Sequence, residues 1–323
     1  MDEDGGKFGE ETMNAIEINN LQKSFGDLKA VDGVSFAVQE GEIFSLLGPN
    51  GAGKTTTLSM LSTLLRPDDG DALVLGHSIR SEPMKVKESL GVVPQEIALY
   101  EDLSARENLV FWGKMYGLRG TALKNRVDEV LETIGLTDRQ KGRISKFSGG
   151  MKRRVNIGVA LLHKPRVIYM DEPTVGIDPQ SRRSILDSVV SLKDQGMTVL
   201  YTTHYMEEAQ ELSDHIAIMD NGKVIAAGTP DELVKLVGQS DRITLTINSE
   251  SSRVLEQWRA TPGVQNISEE DGKLTLLVDD SNRVLPRLFD AAAASGIRIT
   301  SVEIQVPNLE SVFLHLTGRA LRD

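Results

Sequence analysis

Residues 43 to 56 read IFSLLGPNGAGKTT, and this stretch decides the fold. Ile43 to Leu47 is a short apolar run of the kind that forms a buried strand, and it ends at Gly48. Residues 48 to 55, GPNGAGKT, match G-x-x-x-x-G-K-[ST] in full, and a helix is expected over 54 to 65. Glycines at 48, 51 and 53 let backbone N–H groups turn inward around an anion, where a Cβ would obstruct the turn. The helix N-terminus adds roughly half a positive charge at the same point. Gly48, Pro49, Asn50, Gly51, Ala52, Gly53, Lys54, Thr55 and Thr56 are thus the expected cradle for a nucleotide's phosphates. Lys54 should reach the β- and γ-phosphates, and Thr55 should ligate Mg²⁺. A glycine turn with a chance lysine is the plainer alternative, and the flanking strand and helix argue against it.

Downstream, apolar strands alternate with helical patterns. RVIYM at 166 to 170, TVLYTT at 198 to 203 and HIAIMD at 215 to 220 are separated by helices expected at 181 to 194 and from Met206. That rhythm implies α/β architecture with a mostly parallel sheet covered by helices. Between Ser104 and Ile134 the pattern is mostly helical. Near Gly238 the character changes, and the remainder reads β-α-β-β-α-β, a small ferredoxin-like α+β plan with one last helix at 308 to 318. The expected domains are a disordered tail at 1–14, a nucleotide-binding unit at 15–232 and an accessory unit at 240–323, with the boundary between about 230 and 242.

The strand within VIYMDEP delivers Asp171 and Glu172 at its carboxyl end, where ligands bind in open α/β sheets. Asp171 suits the Mg²⁺ shell. Glu172, one residue further, could take a proton from an attacking water. His204 ends the next strand and should emerge on the same rim, although a lone histidine is often structural. Gln95, in VVPQE, follows another apolar strand and could orient water or Mg²⁺, or be an ordinary surface glutamine.

A second glycine turn raises a different question. FSGGMKRR at 147 to 154 presents Ser148, Gly149 and Gly150 at the start of a helix, yet one nucleotide needs only one phosphate cradle. In their order along residues 15 to 230, six features together resemble the nucleotide-binding subunits of ABC (ATP-binding cassette) transporters. They are the phosphate loop, Gln95, FSGGM as signature motif, VIYMDEP, GID at 176 to 178 and His204. The resemblance implies a P-loop NTPase cassette with a parallel core, an antiparallel β subdomain and a helical signature arm. It also implies that the signature of one subunit closes over ATP held by another, so that two copies, placed head to tail as a homodimer, enclose two ATP molecules. Glu172 then acts as general base, with His204 and Gln95 beside it as catalytic residues. Thr55, Gln95 and Asp171 serve the metal, Asp178 the nucleotide, and Phe25 stands where an adenine-stacking aromatic is expected. Met151 and Phe147 replace the glutamine and leucine usual in the signature.

SGGM followed by basic residues, together with the C-terminal extension, is similar to the daunorubicin-resistance-like, ABC-2-type exporter ATPases. That branch implies a permease on a separate chain and a peripheral position on the cytoplasmic face of the membrane. Composition is consistent with this. No stretch approaches the ~18 consecutive apolar residues of a membrane span, and there is no cysteine for disulfides or thiolate metal sites. The start, MDEDGGKFGEETMN, has no apolar core and is no secretory signal. A formal net charge of -11 argues against nucleic acid as partner. Other classes weighed are a soluble ABC ATPase acting on ribosomes or DNA, and an unrelated P-loop kinase or GTPase. The single cassette and the lack of long coiled coils disfavour the former, and SGGM has no use in the latter. The segment after Gln95, EIALYEDLSARENL, is expected to help form a groove for a permease helix, with packing inside the helical arm as the alternative. The cargo is not written in this chain.

Overall fold

The strand Ile43–Leu47 lies inside a six-stranded sheet in the computed structural model, which describes residues 13–238, 240–248, 252–270 and 273–318. It pairs in parallel with Thr198–Thr203 on one side and His215–Asp220 on the other. Val167–Asp171 and then Leu90–Val93 continue the sheet in parallel, while Lys223–Gly228 closes the far edge antiparallel. This is the mostly parallel sheet that the alternating elements predict.

Its central strands read as apolar runs because both faces are covered. All five residues of Val167–Asp171 are buried. Val167 and Tyr169 pack into one core, and Ile168 and Met170 into the other, following the two-residue period of a strand. The first core is closed by an antiparallel sheet ordered Leu28–Gln39, Asn14–Phe25, Asp69–Val74 and His77–Ser78. The second core contains the helical arm. Ala105–Met115 begins at a capping box, in which Ser104 and Glu107 satisfy each other's backbone N–H groups. Gly120–Thr133 follows, and Gly149–Leu161 starts at Ser148, whose hydroxyl accepts the Met151 N–H.

Two boundaries differ from expectation. The helix at the phosphate loop ends at Leu61 instead of residue 65, because the chain turns at Thr63 (φ 59°) and both Leu64 and Leu65 send their N–H groups back to Ser59 O. The first strand begins at Asn14, within the stretch expected to be tail, where it pairs with Gln39, and Met13 O accepts the Glu40 N–H. Residues 1 to 12 of that expected tail lie outside the described residues.

The chain divides between Pro230 and Asp231 into two units. The second has the β-α-β-β-α-β order, its antiparallel sheet running Val264–Glu270, Lys273–Val278, Asp241–Ile247 and Ile299–Gln305. That is the ferredoxin-like plan. Trp258, fully buried, anchors its core and donates its indole N–H to Leu288 O at 3.0 Å.

Candidate functional site

Register places the site. Leu47 pairs with Thr203 and Asp171 with Thr202, so the phosphate loop, the two acids and His204 leave the sheet at neighbouring strand ends. The loop has no room for a side chain at Gly48 or Gly53, while Gly51 has open space and is a glycine for its φ of 83°. A Cβ on Gly53, at φ 102°, would lie 2.4 Å from Ala30 O, and one on Gly48 would lie 2.3 Å from Met219 O. Glycine here is a steric requirement of this chain's own backbone.

Lys54 is buried and its ammonium is held by three oxygens: Gly48 O at 2.6 Å, Pro49 O at 3.1 Å and Glu172 Oε1 at 3.0 Å. The other Glu172 oxygen, Oε2, lies 3.2 Å from His204 Nδ1. Glu172 thus joins the loop lysine to the histidine in one contiguous chain. Its backbone sits at φ 44°, a left-handed conformation that a non-glycine residue adopts only when held there. The holder is Thr202, whose carbonyl (3.2 Å) and hydroxyl (2.9 Å) both accept the Glu172 N–H.

Thr202 also serves Asp171, donating its hydroxyl to Oδ1 at 2.7 Å, while Thr55 donates to the same oxygen at 3.2 Å. Among the described residues, Asp171 Oδ2 has no hydrogen-bond partner. One carboxylate and one hydroxyl beside a phosphate cradle are hard oxygen donors, a set that fits Mg²⁺ bound together with substrate phosphates.

A cavity of about 600 Å³ opens over these groups. It brings together Phe25, Asn50, Gly51, Ala52, Gly53, Lys54, Thr55, Thr56, Gln95, Glu172 and His204 from the residues singled out in the sequence. Gly48 and Pro49 enter through their carbonyls on Lys54, and Asp171 through Thr55. Phe25 is 51% exposed, its ring face open apart from the Lys23 ammonium 5.8 Å from the centroid. Ser148, Gly149, Gly150 and Asp178 do not line this cavity. Ser148 and Gly149 are exposed at the start of their own helix, and Asp178 caps the helix Pro179–Asp194. The Ser181 N–H, 2.9 Å away, holds the Asp178 carboxyl below the usual aspartate range.

Several supporting residues escaped the sequence reading. Thr202 is the main one; its trace is a pair of hydroxyls, Thr202 and Thr203, inside a strand whose residues are all buried. Glu208 is another. This buried carboxylate accepts through Oε2 from Tyr201 (2.8 Å), Thr174 (2.9 Å) and Thr203 (3.2 Å), tying the turn after Glu172 to the turn at His204. Burial, with the Glu208 carboxylate second, pushes the Tyr201 hydroxyl well above the usual tyrosine range, so Tyr201 stays a donor. Leu28, Lys29, Ala30, Val175 and Asn221 also line the cavity, and no motif marks them.

Residues 31–175 match the family model described as ABC transporter. The linearmycin resistance ATP-binding protein LnrL of Bacillus subtilis is 49% identical over 310 residues, covering 95% of this chain and 100% of that protein. The chain belongs to the ABC transporter ATP-binding family. Residues 228–317 of this ABC ATPase match a second model, the C-terminal domain of DrrA1-3-like ATP-binding proteins. The daunorubicin resistance ATP-binding protein DrrA3 of Streptomyces coeruleorubidus is 40% identical over 94% of the chain and 96% of that protein. Among solved structures, the ADP conformation of MJ1267, an ATP-binding cassette of an ABC transporter, aligns with TM-score 0.62 and 29% identity. It covers 68% of this chain and 93% of that one. The ABC ATPase binds nucleotide and hydrolyses ATP as a transporter subunit. Among the described residues, no helix is long and apolar enough to cross a membrane.

Proposed function

We propose that this ABC ATPase powers export through a membrane permease of the ABC-2 type carried on a separate chain, and that two copies close head to tail around two ATP molecules. One observation carries the dimer. The loop, Glu172, Gln95 and His204 share one cavity, whereas Ser148 and Gly149 are exposed and do not line it. A signature that serves no nucleotide in its own chain is free to serve a neighbour's. Export and a membrane partner are supported by the relatives, several of them ATP-binding proteins named for drug resistance, and by the match of the second unit to their C-terminal domain. The permease would hold the chain at the cytoplasmic face of the membrane. Because related proteins are named for linearmycin, daunorubicin and Nod factor, cargo choice falls to the permease.

In the proposed mechanism, the N–H groups of residues 50 to 55 and Lys54 take the phosphates, and the Phe25 ring stacks on adenine. ATP then replaces Glu172 as the partner of the Lys54 ammonium. That leaves the Glu172 carboxylate, still steadied by His204, to accept a proton from the attacking water. Thr55, Asp171 and Gln95 would hold Mg²⁺, which would supply positive charge against the phosphates. Ser148 and the N–H groups of Gly149 and Gly150 from the second copy close the far side of the γ-phosphate, and Asp178 joins them at the interface.

Glu172→Gln is the direct test. It should bind ATP, scarcely hydrolyse it, and elute from size exclusion with ATP as a dimer. A variant that hydrolyses as a monomer would remove the base and the dimer together. Affinity capture from detergent extract should recover an integral membrane protein; recovery of ribosomal or DNA-bound proteins would favour the other class.

A further inference from the structure

The helix that begins with the signature carries a second polar face, one turn in, which starts within the basic run that follows SGGM. Arg153 is 3% exposed, and its guanidinium donates to Pro94 O at 2.7 Å and to Gln95 O at 2.6 Å. No carboxylate pairs with it among the described residues, and its Nε has no partner. Three residues on, Asn156, also buried, accepts the Ala98 N–H at 3.3 Å. Residues 94 to 103 form no helix or strand, and at Pro94, Gln95 and Ala98 their backbone groups find side-chain partners instead of a ladder. The same helix face therefore grips this segment in both polarities, taking carbonyls at 94 and 95 and an N–H at 98.

An uncompensated buried guanidinium is costly, and an apolar side chain of the same volume would pack there at less expense. Burial pushes its pKa down, against the influence of Tyr201 and of Asp171. What the guanidinium supplies is geometry: its rigid planar fork holds the two carbonyls on two separate nitrogens, whereas a lysine would meet them from one freely rotating ammonium and a methionine not at all. The residue so fixed, Gln95, lines the phosphate cavity.

We propose that Arg153 is a positioning residue that locks the backbone of Gln95 to the signature helix. The metal end of the chain's own nucleotide site and the Ser148–Gly149 turn it offers to a second copy then move as one piece. This rests on the two-copy function proposed above, and it goes further by naming the link between the two sites within one chain.

The test is a double-mutant cycle on the full chain with Arg153→Met and Gln95→Ala. Arg153→Met should bind ATP within about twofold of wild type, because the phosphate loop is untouched, while kcat falls by about 10²-fold from misplacement of Gln95. Adding Gln95→Ala should cost nothing more, since both changes remove one function. Additive losses, or ATP affinity falling in step with kcat, would overturn the proposal. If Arg153→Met melts too low to assay, Arg153→Lys, which keeps the charge but not the fork, should melt like wild type and recover only part of the turnover. Full turnover in Arg153→Lys would refute the two-carbonyl clamp. Hydrogen exchange at the amides of residues 95 to 98 reads the clamp without any activity. Faster exchange in Arg153→Met is expected, and unchanged exchange would sink it. A wild-type chain that hydrolyses no ATP would instead count against the proposed function, and the exchange result would still decide the clamp.

Discussion

A Cβ added at Gly53 would lie 2.4 Å from Ala30 O, whereas one added at Gly149 would meet only Ile177 Cδ1, 3.3 Å away at the end of a flexible side chain. The two glycine turns of this chain are therefore glycine-rich for different reasons. The first is enclosed by its own chain at Gly48 and Gly53, where backbone carbonyls crowd it, and Lys54 is already engaged by three oxygens. The second is half enclosed. Gly150 is needed locally, because its Cβ would fall 2.2 Å from Ser181 Cβ, but Gly149 is spared a side chain that its own chain would tolerate.

The largest effects should separate the two turns by function. Glu172→Gln, on the enclosed side, should lower turnover by about 10²–10⁴-fold, the worth of a positioned base, with ATP binding retained in a nucleotide-affinity assay. Gly149→Asp, on the open side, should also retain ATP binding and lose about 10³-fold in turnover. A carboxylate about 4 Å from a phosphate charge costs about 4 kcal/mol at an effective dielectric near 20. Normal hydrolysis by Gly149→Asp would erase the functional difference between the two turns. Lys54→Ala should lose about 10²–10³-fold in turnover and, unlike Gly149→Asp, weaken ATP binding as well.

Stability sharpens the same comparison. Gly150→Ala must displace Ser181, so it should destabilise by about 1–3 kcal/mol in denaturant melts. Gly149→Ala should stay within about 0.5 kcal/mol of wild type while still slowing hydrolysis. A large stability loss at Gly149 would mean that its glycine serves this chain after all.

Much of this molecule was legible in its residues. The phosphate loop is read from spacing because a backbone that wraps an anion tolerates few residue types, and those must fall at fixed offsets. The acids and His204 could be placed on one rim because strand ends of a parallel sheet converge there. The second unit followed from periodicity alone. Thr202, Glu208 and Arg153 were not legible. Each acts through a buried side chain on backbone or hydroxyl groups that are distant in sequence, as from Arg153 to Gln95 or from Glu208 to Thr174. Spacing carries no trace of such pairs.

What the sequence determined by itself is the chemistry of each turn: local conformations, set by glycine, strand and helix preferences within a dozen residues. What only the tertiary structure decided is which turns meet. The register Asp171↔Thr202 and Leu47↔Thr203 brings the loop, Glu172 and His204 into one cavity, and Ser148 and Gly149 lie outside it. That separation depends on how sheet and helical arm pack, a sum over many buried contacts between residues far apart in the chain, and no local pattern encodes it.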